Sequence, residues 1–251
     1  MIAICRTDRR PQSVVSLPES WPMPKIVTLY VAVFLIALVQ TPTLSGQSMP
    51  DANPLHDAVA DNDIAAIRAL LSAGVEIDAR DHKGRTALLV AAHDNKVEAA
   101  AALIEAGANV NAKDDIDDSP YLYAGARGHL EILKMTLAHG ADLESTNRYG
   151  GTALIPAAER GHVETVRTLI VAGVEVDHVN NLGWTALLEA VILGKGGQEH
   201  QRVVALLVDA GADVDLADRD GVTPLAHALG RGYEEIAQLL VEAGARGGTN
   251  P

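Results

Sequence analysis

The sequence predicts an all-α repeat solenoid: six stacked helix-turn-helix units with β-hairpin turns between them. Three observations predict it. A glycine preceded by Ala or His recurs at 74, 107, 140, 173, 211 and 244, at intervals of 33, 33, 33, 38 and 33 residues. A second motif keeps the same phase: Asn53-Pro54-Leu55-His56, Thr86-Ala87-Leu88-Leu89, Ser119-Pro120-Tyr121-Leu122, Thr152-Ala153-Leu154-Ile155, Thr185-Ala186-Leu187-Leu188 and Thr223-Pro224-Leu225-Ala226. Finally, 48% of the residues are apolar but only 3% are aromatic, with a single Phe. A core built from Ala, Leu, Val and Ile suits thin, closely packed helices, because the large rings that fill thicker cores are scarce. A fixed period of this length marks a repeat array rather than a single-core globule.

Each part of the period has a local reason. Thr or Ser at the motif start caps a helix, its side-chain oxygen accepting free backbone N–H groups. Pro in the next position is tolerated because its missing N–H has no partner there anyway. The first helix runs roughly Thr86–Asp94 in the second repeat, and its small Ala91 and Ala92 allow close approach of neighbours. A second helix such as Val163–Val171 places Val163, Val166, Leu169 and Ile170 on one face. The recurring glycine ends it with positive φ. An extended stretch and a polar turn then lead to the next motif. No unit buries its apolar face alone, whereas stacked neighbours bury a continuous core.

At these motifs the chain resembles the ankyrin repeat family, over about residues 51–246. The repeats fall at 53–83, 84–116, 117–149, 150–182, 183–220 and 221–246, with a tail at 247–251. The third departs at Asp117, where others carry glycine, and at Tyr121, where others carry leucine. The fifth holds five inserted residues within Lys195–Glu199. The last, with Glu234, Glu235 and Gln238, reads as a polar C-terminal cap.

The N-terminal part reads as an address. Residues 26–39 form a run of 14 residues without a charge, preceded by Lys25. A membrane span needs about 20, so residues 23–46 fit a signal peptide better. Thr43 and Ser45 suit cleavage after Ser45. Met23 reads as the true initiator, residues 1–22 as an over-long start or extension, and 47–52 as a short linker. Cleavage would remove Cys5, the single cysteine, leaving a chain indifferent to an oxidising compartment. Left uncleaved, residues 26–39 would act as a membrane anchor.

Composition and motifs exclude much chemistry. With 33 acidic and 20 basic residues the formal charge is −13, which opposes general nucleic-acid binding, where cations must replace phosphate counterions. The nine histidines are scattered or sit at turns, and none forms a metal-ligand spacing with a carboxylate. Asp114-Asp115-Ile116-Asp117-Asp118 lacks the alternation of a calcium loop and reads as a solvated turn. The glycines of Gly194–His200 lack phosphate-loop order. No nucleophile motif occurs. No catalytic residue, cofactor or metal is expected.

The resemblance implies a protein-interaction module that binds through its hairpin turns and concave helix face. Carried over residue by residue, that surface takes His82, Lys83, Arg85, His93 and Asp94 from the second repeat and Asp115, Ile116, Asp118, Ala126 and Arg127 around the third. Arg148, Tyr149, Glu159 and Arg160 follow, then Asn181, Leu182, Trp184 and Ile192, then Arg219, Asp220, Val222 and Arg231. Arginine and aromatic residues dominate interface energetics. Trp184 is expected to be exposed and Tyr121 buried. With the N-terminal segment, the resemblance points to an exported bacterial ankyrin repeat protein, periplasmic or secreted, monomeric, with a protein partner. The alternatives are a protective or inhibitory partner of one exported enzyme, and an enzyme with a cross-repeat carboxylate site near the insertion.

Overall fold

The computed structural model describes residues 53–246. The expected over-long start, signal peptide, linker and tail, and Cys5, lie outside them. Twelve helices are formed among the described residues, in six antiparallel pairs. The first helices are α1 (Pro54–Ala60), α3 (Ala87–His93), α5 (Pro120–Arg127), α7 (Leu154–Glu159), α9 (Ala186–Ile192) and α11 (Pro224–Arg231). Their partners are α2 (Ile64–Ser72), α4 (Val97–Glu105), α6 (Leu130–Ala138), α8 (Val163–Ala172), α10 (Gln198–Asp209) and α12 (Glu234–Glu242). First helices pack on first helices and second helices on second helices, repeat by repeat, giving two parallel rows.

The caps explain where the first row begins. Leu89, Leu122, Leu188 and Ala226 each donate a backbone N–H to the Thr or Ser hydroxyl three residues earlier, at 3.2 Å. In α1 the Asn53 amide oxygen accepts from Leu55 N–H at 3.0 Å. Behind the caps the helices approach closely. Ala91, Ala92, Ala124, Ala157, Ala158 and Ala190 are buried, and a Cβ on Gly125 would lie 2.8 Å from that of Ala153. Each repeat adds leucines to the continuous core, among them Leu88, Leu133, Leu154 and Leu187. Truncating one such leucine to alanine costs about 2–5 kcal/mol. Tyr121 is fully buried in the leucine slot, as expected.

The turns between repeats are tighter than the expected β-hairpins. Among the described residues no strand forms; a single antiparallel bridge joins Arg80 and Thr86. Five fingers project instead: 81–85, 114–118, 147–151, 180–184 and 218–222. An Asp or Asn opens each one, and its Oδ1 accepts two backbone N–H groups from the same finger. Asp81 takes those of Lys83 and Arg85, both at 2.9 Å. Asn147 takes those of Tyr149 (2.9 Å) and Gly151 (3.1 Å). Asp114, Asn180 and Asp218 do the same. A side chain thus satisfies donors that a strand ladder would otherwise need. Gly150, at φ 71°, turns under the Asn181 side chain, where a Cβ would lie 2.6 Å from Oδ1; positive φ and lack of space both favour glycine, though Asp117 adopts φ 63° at the equivalent place in the second finger.

The five inserted residues lengthen α10 to 12 residues, against 9 in α4 and 10 in α8. The preceding loop leans on the last repeat. Tyr233 donates its hydroxyl to Gly194 O at 3.0 Å, and Gly196 lies under the Tyr233 ring. His200 occupies the first turn of α10 and bonds Glu159 O at 2.9 Å, as His129 bonds Ala92 O. The insertion therefore preserves the histidine contact to the previous repeat.

The fourth repeat departs from the pattern. In other repeats the fourth residue after the cap donates its N–H to the cap carbonyl, for example Val90 to Thr86 O at 3.0 Å. Here that residue is Pro156, which has no N–H. Ile155 donates to Thr152 O instead, at 3.3 Å, and the buried Thr152 Oγ1 has no partner among the described residues.

A second link fails nearby. After each second helix, Asp78, Asn111, Asp177 and Asp215 accept a backbone N–H from the following repeat, at Asn109, Asp142, Asp213 and Arg246. Glu144 holds the corresponding place in the third repeat, and among the described residues it accepts no such bond from Glu175. Its longer side chain borders a hollow of about 450 Å³, with Thr152, Glu175 and His178. Glu144→Asp is expected to restore the link and stabilise the fold by about 0.5–1 kcal/mol. An unchanged urea midpoint would refute this.

Candidate interaction site

The fingers and the C-terminal ends of the first helices form one face, and most residues expected there reach it. His82 and Lys83 are exposed on the first finger, while Arg85 is half-buried against Asp81, Nη2 to Oδ2 2.7 Å. At the end of α3, His93 bonds the Asp94 carboxylate at 3.0 Å and stacks on Tyr123, ring centroids 4.8 Å apart. The second finger exposes Asp115 and Ile116, the latter 49% accessible, and half-buries Asp118. At the end of α5, Arg127 lies 5.8 Å above the Tyr123 ring, on the side of α5 that carries the half-buried Ala126.

The third finger carries the strongest apolar signal. Tyr149 is 53% exposed, with the Arg148 guanidinium 4.8 Å above its ring. Such cation–π stacking holds both side chains in place at modest entropic cost. Glu159 and Arg160 close α7, and Arg160 Nη1 donates to Ala126 O in the previous repeat at 2.7 Å. On the fourth finger Asn181 is exposed, as is Leu182 at 49%. Trp184 is half-buried rather than exposed. Arg219 and Asp220 are exposed on the fifth finger beside the half-buried Val222, and Arg231 ends α11.

Ile192 does not belong to the surface. It is 8% exposed, because α9 packs between α7 and α11 with α10 behind it, and all seven of its residues are buried. Exposure passes to Leu193.

Two adjoining hollows open on this face. One, of about 400 Å³, lies between the first and second fingers over Leu89, Ile116 and Tyr123, with His82 and His93 at its edge. The other, of about 290 Å³, lies under the third finger, with Arg127, Arg148, Tyr149, Glu159 and Arg160 around it and Glu189 among its lining residues. They share Asp118, Tyr123 and Arg148. The insertion Gly194–His200 lines neither. No group of three or more metal-ligating side chains occurs among the described residues.

Glu189 is the residue that motif reading missed. It follows the cap by four, the position held by Asp57, Val90, Tyr123, Pro156 and His227 in the other repeats. Its Oε1 accepts from Asn180 Nδ2 at 2.8 Å, just as His227 bonds Asp218 at 2.7 Å in the next repeat. Both helices thereby grip the residue that opens their finger. Comparing this one position across repeats narrows it to two carboxylates, the exposed Asp57 of the first repeat and the buried Glu189. Burial, and then the Glu159 charge, push its carboxyl up to about 7. Burial, and then Asp114, also raise Asp118.

Residues 35–114 and 121–218 match the family profile for ankyrin repeats in three copies. The chain belongs to the ankyrin repeat family. The ankyrin repeat protein YahD of Escherichia coli (strain K12) is 53% identical over 57 residues, 23% of this chain; the chain spans 28% of that curated relative. A crystal structure of an ankyrin repeat domain from Acinetobacter baumannii AYE shares 68% identity and a TM-score of 0.75, over 77% of this chain and 98% of that one. The ankyrin repeat domain of Bcl-3, a member of the IkappaB family, is 28% identical with a TM-score of 0.70, over 78% of this chain and 87% of its own.

Within the ankyrin stack, the Glu189 carboxyl couples stability to pH. An unfolded glutamate ionises near its ordinary value of 4.5, the folded one only near 7. Between those values the unfolded chain holds fewer protons, so stability falls as pH rises. Glu189→Gln keeps an oxygen for Asn180 and removes the buried charge. It is expected to stabilise the fold at pH 8 by about 1–3 kcal/mol and to have little effect at pH 4. Chemical denaturation at the two pH values reads the difference; equal effects at both would contradict it.

Proposed function

We propose that this protein is a non-enzymatic binding module that grips a protein partner across its second, third and fourth fingers. Ankyrin repeats are protein–protein interaction modules as a class, and the observation that carries the reading here is the third finger. Tyr149 stands exposed with Arg148 stacked upon it, between the exposed Ile116 and Leu182 of the fingers on either side. Tyr and Arg anchors beside apolar contacts are the composition of interface hot spots. The mixed charges of this face, with Arg127, Arg148 and Arg160 beside Asp118, Glu159 and Glu189, suit a polypeptide better than a phosphate polymer. The charge-free run of 26–39 behind Lys25 supports action after export, in the periplasm or outside the cell.

The test is capture of the partner from the envelope fraction of the native host, with wild type, Tyr149→Ala and Arg127→Ala as baits. Val171→Ala, on the opposite side of the stack, serves as the control. Recovery is expected to fall at least about tenfold for the Tyr149 variant and to stay unchanged for the control. Equal recovery on all baits would sink the finger surface as the binding site. Mass spectrometry of the mature protein reads export separately: an N-terminus near residue 46 is expected, and an intact leader would overturn it.

A further inference from the structure

The hollow under the third finger has a floor that hot-spot anchoring alone does not explain. Glu189 stands there, 6% exposed, the one acidic side chain among the buried described residues. Its Oε1 is held by Asn180 Nδ2. Among the described residues no donor reaches its Oε2. On another wall of the hollow the half-buried Asp118 carboxylate also has no side-chain donor among the described residues.

Three arginines also line the hollow, Arg127, Arg148 and Arg160, but none of them hydrogen-bonds either carboxylate among the described residues. Arg160 Nη1 donates to Ala126 O, and its Nη2 lies 3.8 Å from Glu159. The Arg148 guanidinium lies over the Tyr149 ring and that of Arg127 over the Tyr123 ring. Tyr123 and Tyr149 complete the walls, and aromatic faces carry partial negative charge. A carboxylate buried without full pairing costs stability, and the raised pKa of Glu189 and of Asp118 reflects that cost. A carboxylate with one oxygen free of donors, beside aromatic rings, is the complement of a cation.

We propose that this hollow receives one basic side chain of the bound protein, a lysine or arginine. Its charged head pairs with Glu189 Oε2 and its stem lies against Tyr123 and Tyr149. The inference rests on the protein-binding reading above and adds the residue type that the partner must present. A hollow of about 290 Å³ leaves room for a single side chain rather than a folded segment.

The experiment uses the full chain labelled with ¹⁵N and four probes, acetyl-Gly-Gly-X-Gly-Gly-amide with X as arginine, lysine, citrulline or glutamate. The Asn180 side-chain amide and the Glu189 backbone amide report binding. Saturable shifts are expected with the arginine and lysine peptides and none with the other two. Glu189→Gln is expected to weaken the arginine peptide about tenfold while Asn180 keeps its acceptor, and Asp118→Asn about threefold. The thermal melt of each variant confirms folding. Equal binding of the citrulline peptide, shifts with the glutamate peptide, wild-type affinity in Glu189→Gln, or no shift with any peptide would each overturn the proposal. If the peptides fail while partner capture still depends on Tyr149, the interaction reading survives and this one does not.

Discussion

Every feature of the binding face depends on one constraint: a single helix pair cannot bury its own apolar side. The first helices are only six to eight residues long, far below the length at which an isolated helix holds in water. They persist because alanines and one glycine let neighbouring first helices approach closely, so that each leucine layer is shared by two repeats. The fingers inherit their spacing from that packing. Asn180 and Asp218 are gripped by the helices behind them, through Glu189 and His227. A surface made of turns is thereby held by the core rather than by a sheet.

Part of the binding face lies where backbone pairing between fingers is incomplete. Backbone bonds join the first finger to the second, through Asp115 N–H and Lys83 O, and the third to the fourth, through Asn181 N–H and Tyr149 O. Among the described residues no such bond joins the second to the third, or the fourth to the fifth. The hollow with Glu189 spans the first of these gaps. Stability is spent at the same place: among the described residues a buried carboxylate lacks a full set of donors, and in the adjoining repeat the Thr152 hydroxyl lacks any partner.

Most of the fold was legible in the residues. The caps at Thr86, Ser119, Thr185 and Thr223, the glycines that end the second helices, and the burial of Tyr121 all follow from local rules acting on a fixed period. The fingers were read as β-hairpins because an extended stretch before a polar turn is the ordinary hairpin signal. The first Asp or Asn of each finger takes the N–H groups that a ladder would have used. Ile192 was read as surface from its place at a helix end, but α7, α10 and α11 surround that helix. Glu189 escaped because nothing beside it in the chain marks it. Its partner Asn180 is nine residues away, and its burial arises only from the stack.

The three breaks between the third and fourth repeats have a consequence for how the molecule comes apart. In a linear array, cooperativity is carried by nearest-neighbour interfaces, and the weakest one sets where it fails. Among the described residues Glu144 forms no link to the next loop, Thr152 gives no side-chain cap, and the second and third fingers share no backbone bond. Two half-arrays of three repeats meet at this seam, each long enough to persist when the other melts. A partner lying across the fingers would bridge the seam, and so bind two subdomains into one cooperative unit.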